Sequence, residues 1–190
     1  MRLEGSVVRC ARSGHTDFTK ETMPIVEFET LPDSARVWVY GADRDISPDN
    51  AGKLLARTDE FLEGWAAHGN PLHSARKWTD DRFLTVAVDR EQEGASGCSI
   101  DVLFRTLKAM GPELGAEMVT SGLVYFRDTN GKIQAVTRDE FTNLSALGEI
   151  TDDTEVFDLS VTTLGEWRGR FRSRAMDSWH ASLMELRAQR

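Results

Sequence analysis

The run Phe83–Val88 constrains the fold more than any other segment, because its side chains are almost all apolar and must be buried. A run of this length and character is typical of a strand in the centre of a sheet. Residues 72–78 and the turn residues 79–82 predict that it is the second strand of a hairpin. The β-branched and aromatic run at residues 36–40 predicts another strand of the same fold.

Two helices are predicted around these strands. Residues 47–49 (Ser-Pro-Asp) are a strong helix start, with an N-cap serine, proline at the first helical position and an acid in the first turn. Apolar residues at helical spacing follow, until residues 69–71 (Gly-Asn-Pro) end the helix. A second helix is predicted over residues 99–110, before Gly111-Pro112.

The clearest turn lies at residues 128–131, where an Asn-Gly pair separates the strand-like segments 122–126 and 132–136. Thr137 and Glu140 then have the spacing of a capping box, which predicts a short helix. From Thr163 onward, aromatic and leucine residues recur at near-helical spacing.

The predicted order over residues 36–136 is therefore β-α-β-β-α-β-β, which indicates an α+β fold. A ferredoxin-like split βαβ sandwich fits this order best. It would have a mostly antiparallel sheet with two helices on one face, and extra C-terminal helices. Other α+β arrangements remain open.

The chain has 190 residues, which corresponds to one domain, predicted at residues 35–190. Residues 1–34 keep no lasting periodicity and are predicted to form a mobile or peripheral arm. An alternative is that translation begins at Met23, so that the preceding residues are not part of the native protein.

The formal net charge of -8 disfavours binding to double-stranded DNA, which requires a basic surface. No uncharged apolar stretch is long enough to span a membrane. Only two cysteines, Cys10 and Cys98, are present, too few for a disulfide scaffold, and the first residues do not resemble a signal peptide. These features predict a cytoplasmic protein.

Five segments together resemble a small family of bacterial proteins that has no established activity. They are residues 37–40, 61–69, 94–101, 153–157 and 177–180, so that the resemblance covers about residues 36–182. Members are often labelled "ABC transporter ATPase".

The sequence argues against that label. An ATP-binding cassette needs a glycine-rich loop that ends in Gly-Lys-Ser/Thr, which holds the phosphates and magnesium. The two Gly-Lys pairs here, at residues 52–53 and 131–132, are followed by Leu54 and Ile133. Neither pair therefore has the hydroxyl that magnesium requires, and we reject an ATP-binding cassette.

The segment 94–101 is the best candidate for chemistry, because it follows a buried strand and opens a helix. The positive end of the helix dipole favours an anion there and would raise the thiolate fraction of Cys98. The alternative is a capping loop whose cysteine only fills space. The candidate ligand-binding residues are Gly94, Ser96, Gly97, Ser99 and Asp101, with Cys98 as the candidate catalytic thiol.

A thiol enzyme also needs a base, usually histidine. His68 and His73 both lie near the end of the first helix. In the split βαβ arrangement, the end of the first helix and the end of the third strand are expected to lie at opposite ends of the sheet. That expectation counts against a pair with Cys98, and His180 cannot be assigned to either end. No histidine has convincing metal-ligand spacing, so neither a metal nor another cofactor is predicted.

The segment 166–190 has six arginines against three acids, on a body that is otherwise acidic. It could bind an acidic partner or RNA, or it could pair with carboxylates of its own domain. Five tryptophans similarly predict either core anchors or an aromatic groove.

Two functions remain open. The first is a non-enzymatic cytosolic binding or interaction module, oligomeric through a sheet face or the aromatic last helix. The second is a small enzyme or anion-binding protein that uses the segment 94–101. The expected partners are accordingly a small anion, another protein or a second copy of the chain, with no membrane.

Overall fold

A computed structural model describes residues 26–64, 66–67, 70–71, 73–89, 97–119 and 121–185. The strands are β1 (Arg36–Ala42), β2 (Ala66–Ala67), β3 (Asn70–Pro71), β4 (Ser74–Thr79), β5 (Phe83–Val88), β6 (Met118–Val119), β7 (Val124–Arg127), β8 (Ile133–Val136), β9 (Glu155–Phe157) and β10 (Arg172–Arg174). The α-helices are α1 (Pro48–Glu63), α2 (Gly97–Ala109), α3 (Gly111–Leu114), α4 (Arg138–Ala146), α5 (Leu164–Arg170) and α6 (Ala181–Glu185). The α+β class is confirmed.

The first sheet has the order β4-β5-β1-β6, and all of its neighbouring strands are antiparallel. Its central strand β5 is buried along its whole length, as the apolar run predicts. Leu84, Val86 and Val88 pack on one face among residues of α1 and α2. Phe83 and Ala87 pack on the opposite face. Both faces of the strand are covered, which explains why alternation is absent from its sequence.

The predicted hairpin around residues 128–131 is present, but it does not join the first sheet. Its strands β7 and β8 belong to a second antiparallel sheet of order β10-β9-β7-β8. The fourth position in the first sheet is held instead by β6, which is only two residues long. The single sheet predicted from the sequence is therefore wrong, because so short a strand leaves no recognisable pattern.

The two sheets pack face to face through aromatic side chains. The ring of Phe83 lies 5.2 Å from that of Tyr125, 4.8 Å from Phe157 and 5.4 Å from Phe171, measured between ring centroids. A Cβ atom at Gly41 would lie 2.6 Å from Cζ of Tyr125, closer than nonbonded carbons approach. Glycine at this position therefore permits the close approach of the sheets.

The outer face of the second sheet is covered by α4 and α6. Val124, Phe126 and Val156 of the sheet pack there with Phe141 of α4 and Leu183 of α6. The chain therefore forms four layers: helices, first sheet, second sheet, helices. Among the described residues, none of the exposed large apolar side chains lies on a strand. Self-association through a sheet face stays a prediction.

The capping box predicted at the start of α4 is confirmed. The Thr137 side chain accepts from the Glu140 backbone N–H, and the Glu140 carboxylate accepts from the Thr137 backbone N–H. The long helical pattern predicted from Thr163 is instead divided into α5, β10 and α6. Strand β10 interrupts the helix because it pairs with β9 at the edge of the second sheet.

The arginine-rich segment pairs with the protein's own carboxylates. Arg168 pairs with Asp33, Arg170 with Asp158, Arg172 with Asp80, and Arg174 with Asp153 and Asp177. Asp80 also accepts from Arg127, so that a turn of the first sheet is tied to two strands of the second. Of the two interpretations of this segment, intramolecular pairing is the one observed at its described arginines.

Residues before β1 also contact the layered body. Phe28 and Leu31 are buried, and the Phe28 ring packs edge-on against Trp167 at 5.1 Å. Residues 1–25 lie outside the described residues, and the boundary predicted near residue 34 stays a prediction.

Candidate functional site

The predicted segment 94–101 is described only in part. Gly94 and Ser96 lie outside the described residues, as do the side chains of Cys98 and Ser99. Gly97 is the first residue of α2, so the helix begins two residues earlier than the sequence predicts. Asp101 lies in the second turn with an exposed side chain. A reactive thiol or an anion site on this segment stays a prediction.

The expectation that His73 lies at the opposite end of the sheet from the end of the third predicted strand, β5, is wrong. Ser74, the first residue of β4, lies opposite Val88, the last residue of β5. The Asp89 backbone N–H donates to the His73 carbonyl at 2.9 Å. Because the β4–β5 hairpin returns the chain to the end where it started, the end of β5 lies beside the connection from α1. His73 therefore lies at the end of the sheet where β5 ends, whereas His68 and residues 90–96, which lead from β5 to α2, are outside the described residues.

A buried phenol lies beside Asp101. Tyr40 of β1 is almost completely buried and stacks on Phe104 of α2, with 6.2 Å between the ring centroids. Burial raises the pKa of Tyr40, and the nearby Asp101 carboxylate raises it further. Tyr40 therefore remains a neutral hydrogen-bond donor at neutral pH rather than a base.

A larger feature, which the sequence analysis missed, is a groove between α6 and the loop that follows α4. Its volume is about 720 Å³, within the range typical of binding sites. Four of its lining residues are apolar and two are acidic; they are Ile150, Met176, Ala181 and Met184, and Asp152 and Asp153.

Exposed apolar side chains are concentrated around this groove. The described residues include three large apolar side chains that are exposed: Leu147 at 74%, Met176 at 48% and Val102 at 48%. Met176 lines the groove, and Leu147 precedes its lining residue Gly148. Val102 lies on α2, on the other side of the first sheet.

The charge around the groove is negative. Asp152 and Asp153 line it, while Glu149 and Asp177 each follow a lining residue in the chain. Arg174 is the guanidinium among them and is shared between Asp177, at 2.8 Å, and Asp153, at 3.2 Å. The hydrogen bond that Arg174 donates to Asp177 raises the pKa of Arg174, so this residue stays charged. Among the described residues around the groove, carboxylates outnumber this guanidinium four to one.

His180 lies beneath this region in the core between α4 and α6. Its Nδ1 lies 2.9 Å from Ser178 Oγ, and its ring stacks on Trp179 with centroids 3.9 Å apart. Its Nε2 is buried and has no hydrogen-bond partner among the described residues. Burial lowers the pKa of His180 to about 4, with Arg138 acting in the same direction and Asp158 opposing both. The imidazole is therefore neutral at pH 7.

Because His180 is buried in its neutral form, the free energy of unfolding is expected to decrease in mild acid. Its folded pKa lies below the value of about 6.5 expected in the unfolded chain, so the unfolded state binds a proton first as the pH falls. Stability is complete above about pH 6.5 and decreases until about pH 4. Between pH 7 and pH 5 the expected loss from His180 is about 2 kcal/mol. Urea unfolding at both pH values measures it.

His180→Phe is the matched variant, because phenylalanine fills a similar volume without a titrating group. It is expected to unfold with a distinctly smaller difference between pH 7 and pH 5. An unchanged difference would show that His180 does not cause the pH dependence.

The described ranges contain no group of three or more His, Cys, Asp or Glu residues that could hold a metal ion. They also contain no helix with both the length and the apolar character needed to cross a membrane. No protein-family model, curated protein or solved structure matches the chain. The resemblance of residues 36–182 to a bacterial family therefore stays a prediction.

Proposed function

We propose that this protein is a cytoplasmic interaction module whose groove between α6 and residues 148–153 binds a basic, amphipathic helix of a partner protein. One observation carries the proposal: the groove combines two methionines, Met176 and Met184, with an excess of carboxylates among the described residues. A helix with one apolar and one basic face matches both properties.

The methionines favour a peptide over a rigid small molecule. Met176 and Met184 have flexible, polarizable side chains that adapt to different apolar surfaces. The carboxylates of Asp152 and Glu149 have no ion-pair partner among the described residues, so they are available to lysine or arginine. The same charges repel nucleic acid, in agreement with the acidic composition.

Binding of a labelled amphipathic peptide of leucine and lysine, followed by fluorescence anisotropy, tests the proposal. Met176→Lys places a positive charge on the apolar lining and is expected to weaken binding by at least about tenfold. Raised salt is expected to weaken binding to the unchanged protein, because ions screen the exposed carboxylates.

Val102→Lys is the matched control. Val102 and Met176 are both 48% exposed, but only Met176 lines the groove. The control is expected to bind the peptide as tightly as the unchanged protein. Equal affinity of both variants would exclude the groove as the binding site.

We also propose that β1, α1, β4, β5, α2 and β6 form a ferredoxin-like split βαβ unit, to which the second sheet is added. The order β4-β5-β1-β6 and the antiparallel pairing of each neighbour support this assignment. Self-association remains a proposal; a monomer in light scattering at high concentration would refute it.

A second candidate function is a small thiol enzyme or anion-binding protein that uses the segment 94–101. The position of His73 favours it, because this residue lies at the end of the first sheet where β5 ends, and the segment 94–101 follows β5 in the chain. Alkylation of Cys98 is then expected to have a pH midpoint well below about 8.5, the value of a free thiol. Cys98→Ser measures the background from Cys10. A slow rate, typical of a buried thiol, would refute an activated cysteine.

A further inference from the structure

We propose that a second, smaller cavity binds a hydrogen phosphate group through Arg138 and Ser160. The cavity has a volume of about 100 Å³ and lies where the second sheet meets the start of α4. The residues that matter for the proposal are Arg138, Trp179, Ser160, Ser121 and Gly122, all of which line it. It is separate from the groove between α6 and residues 148–153.

Arg138 supplies a positive charge that the fold leaves available. Its guanidinium lies over the Trp179 ring, with 5.3 Å between Cζ and the ring centroid. The four described arginines after residue 166 each pair with a carboxylate, whereas Arg138 has no ion pair within the described ranges. Stacking on an aromatic ring orients a guanidinium and leaves its N–H groups free to bind an oxyanion.

Two acids close to the cavity-lining residues in the chain, Asp158 and Glu140, are engaged elsewhere. Asp158 is buried, and its Oδ1 accepts from the Ser160 backbone N–H at 2.8 Å and from Trp179 Nε1 at 3.0 Å. Its Oδ2 pairs with Arg170. Glu140 accepts from the backbone and hydroxyl of Thr137. Asp158 therefore acts as a positioning residue, because it holds both Trp179 and Ser160 at the cavity.

The hydroxyl of Ser160 determines which oxyanion fits. Ser160 Oγ donates its proton to Asp158 Oδ1 at 2.5 Å, so only its lone pairs remain for a ligand. A ligand that meets both Arg138 and Ser160 must carry negative charge and also donate a hydrogen bond. A hydrogen phosphate does both, whereas sulfate has no proton to donate at neutral pH.

The size of the cavity limits the ligand to a single small group. A volume of about 100 Å³ is well below the range of about 300–1,000 Å³ that is typical of sites for whole small molecules. An inorganic phosphate, or the terminal phosphate of a larger molecule, fits this space, and a whole nucleotide does not. The proposal is thus for a phosphate group, free or attached.

Titration with inorganic phosphate, followed by the NMR signal of the Trp179 indole N–H, tests the proposal. Trp179→Phe identifies this signal among the five tryptophans. The signal is expected to shift and saturate with phosphate and to shift at least about tenfold less readily with sulfate. Attraction by charge alone would instead favour sulfate, which carries the larger charge.

Arg138→Gln is expected to abolish the saturable shift. Arg36→Gln is the matched control, because Arg36 also lies over a tryptophan ring, that of Trp38 at 5.1 Å, but on the first sheet. The control is expected to leave the titration unchanged. Three results would each overturn the proposal: no saturable shift in the unchanged protein, equal affinity for sulfate, or an unchanged titration in Arg138→Gln. The first two are measured on the unchanged protein, so they do not depend on whether a variant folds.

Discussion

Replacing Phe83 by alanine is expected to lower the free energy of unfolding by about 3–5 kcal/mol. Phe83 has no exposed surface, and its ring contacts Tyr125 and Phe157 of the second sheet and Phe171, the residue before β10. Truncation removes these contacts and leaves a cavity between two sheets whose backbones cannot close it. Urea unfolding followed by circular dichroism measures the change.

Thr85→Val is the control on the same strand. Thr85 is completely buried, and its hydroxyl has no hydrogen-bond partner among the described residues. Valine has nearly the same shape and no polar group, so stability is expected to stay unchanged or rise by up to about 1 kcal/mol. A loss below about 1 kcal/mol in Phe83→Ala would contradict tight packing of the two sheets.

Replacing Asp158 by asparagine is expected to cost about 2–4 kcal/mol of stability. The carboxylate is 1% exposed and accepts from Ser160, Trp179 and Arg170. An amide would turn a donor toward groups that are themselves donors. This cost in stability is at the low end of the range for a broken buried ion pair, because Arg170 is 45% exposed and water partly solvates its guanidinium.

Asp33→Asn provides the comparison for this variant. Asp33 also pairs with an arginine, Arg168, but its side chain is 74% exposed. Its replacement is expected to cost less than about 1 kcal/mol, as for other surface ion pairs. Equal effects in the two variants, measured by urea unfolding, would contradict the role assigned to burial of Asp158.

Local signals predicted most individual elements of the fold. The cap at Ser47, the apolar run Phe83–Val88 and the capping box at Thr137 each depend on neighbours in the chain, and each is observed. The division into two sheets depends instead on pairing between distant segments. Strand β6 pairs with β1 through only two residues, and β10 pairs with β9 inside an otherwise helical pattern.

The candidate sites also depend on which distant segments come together in the fold, and local sequence signals do not show this. The segment 94–101 forms a recognisable motif because its glycines, cysteine and serines lie close together in the chain. The groove is assembled from a loop, Met176 and residues of α6, none of which forms a motif. In the sequence Arg138 merely follows a helix cap; its stacking on Trp179 is visible only after folding. The sequence features that could have indicated the groove are the pair of acids at residues 152–153 and the methionines at 176 and 184.

The groove can be observed directly through methionine methyl groups. The protein labelled with carbon-13 at these methyls is titrated with the basic amphipathic peptide, and each signal is assigned by single substitution. Met176 and Met184 line the groove, whereas Met110 and Met118 pack with the helices on the far side of the first sheet. The expected result is a saturable shift of the Met176 and Met184 methyls, with those of Met110 and Met118 unchanged. Saturable binding that leaves Met176 and Met184 unshifted, or no binding at all, would contradict an interaction module that acts through this groove.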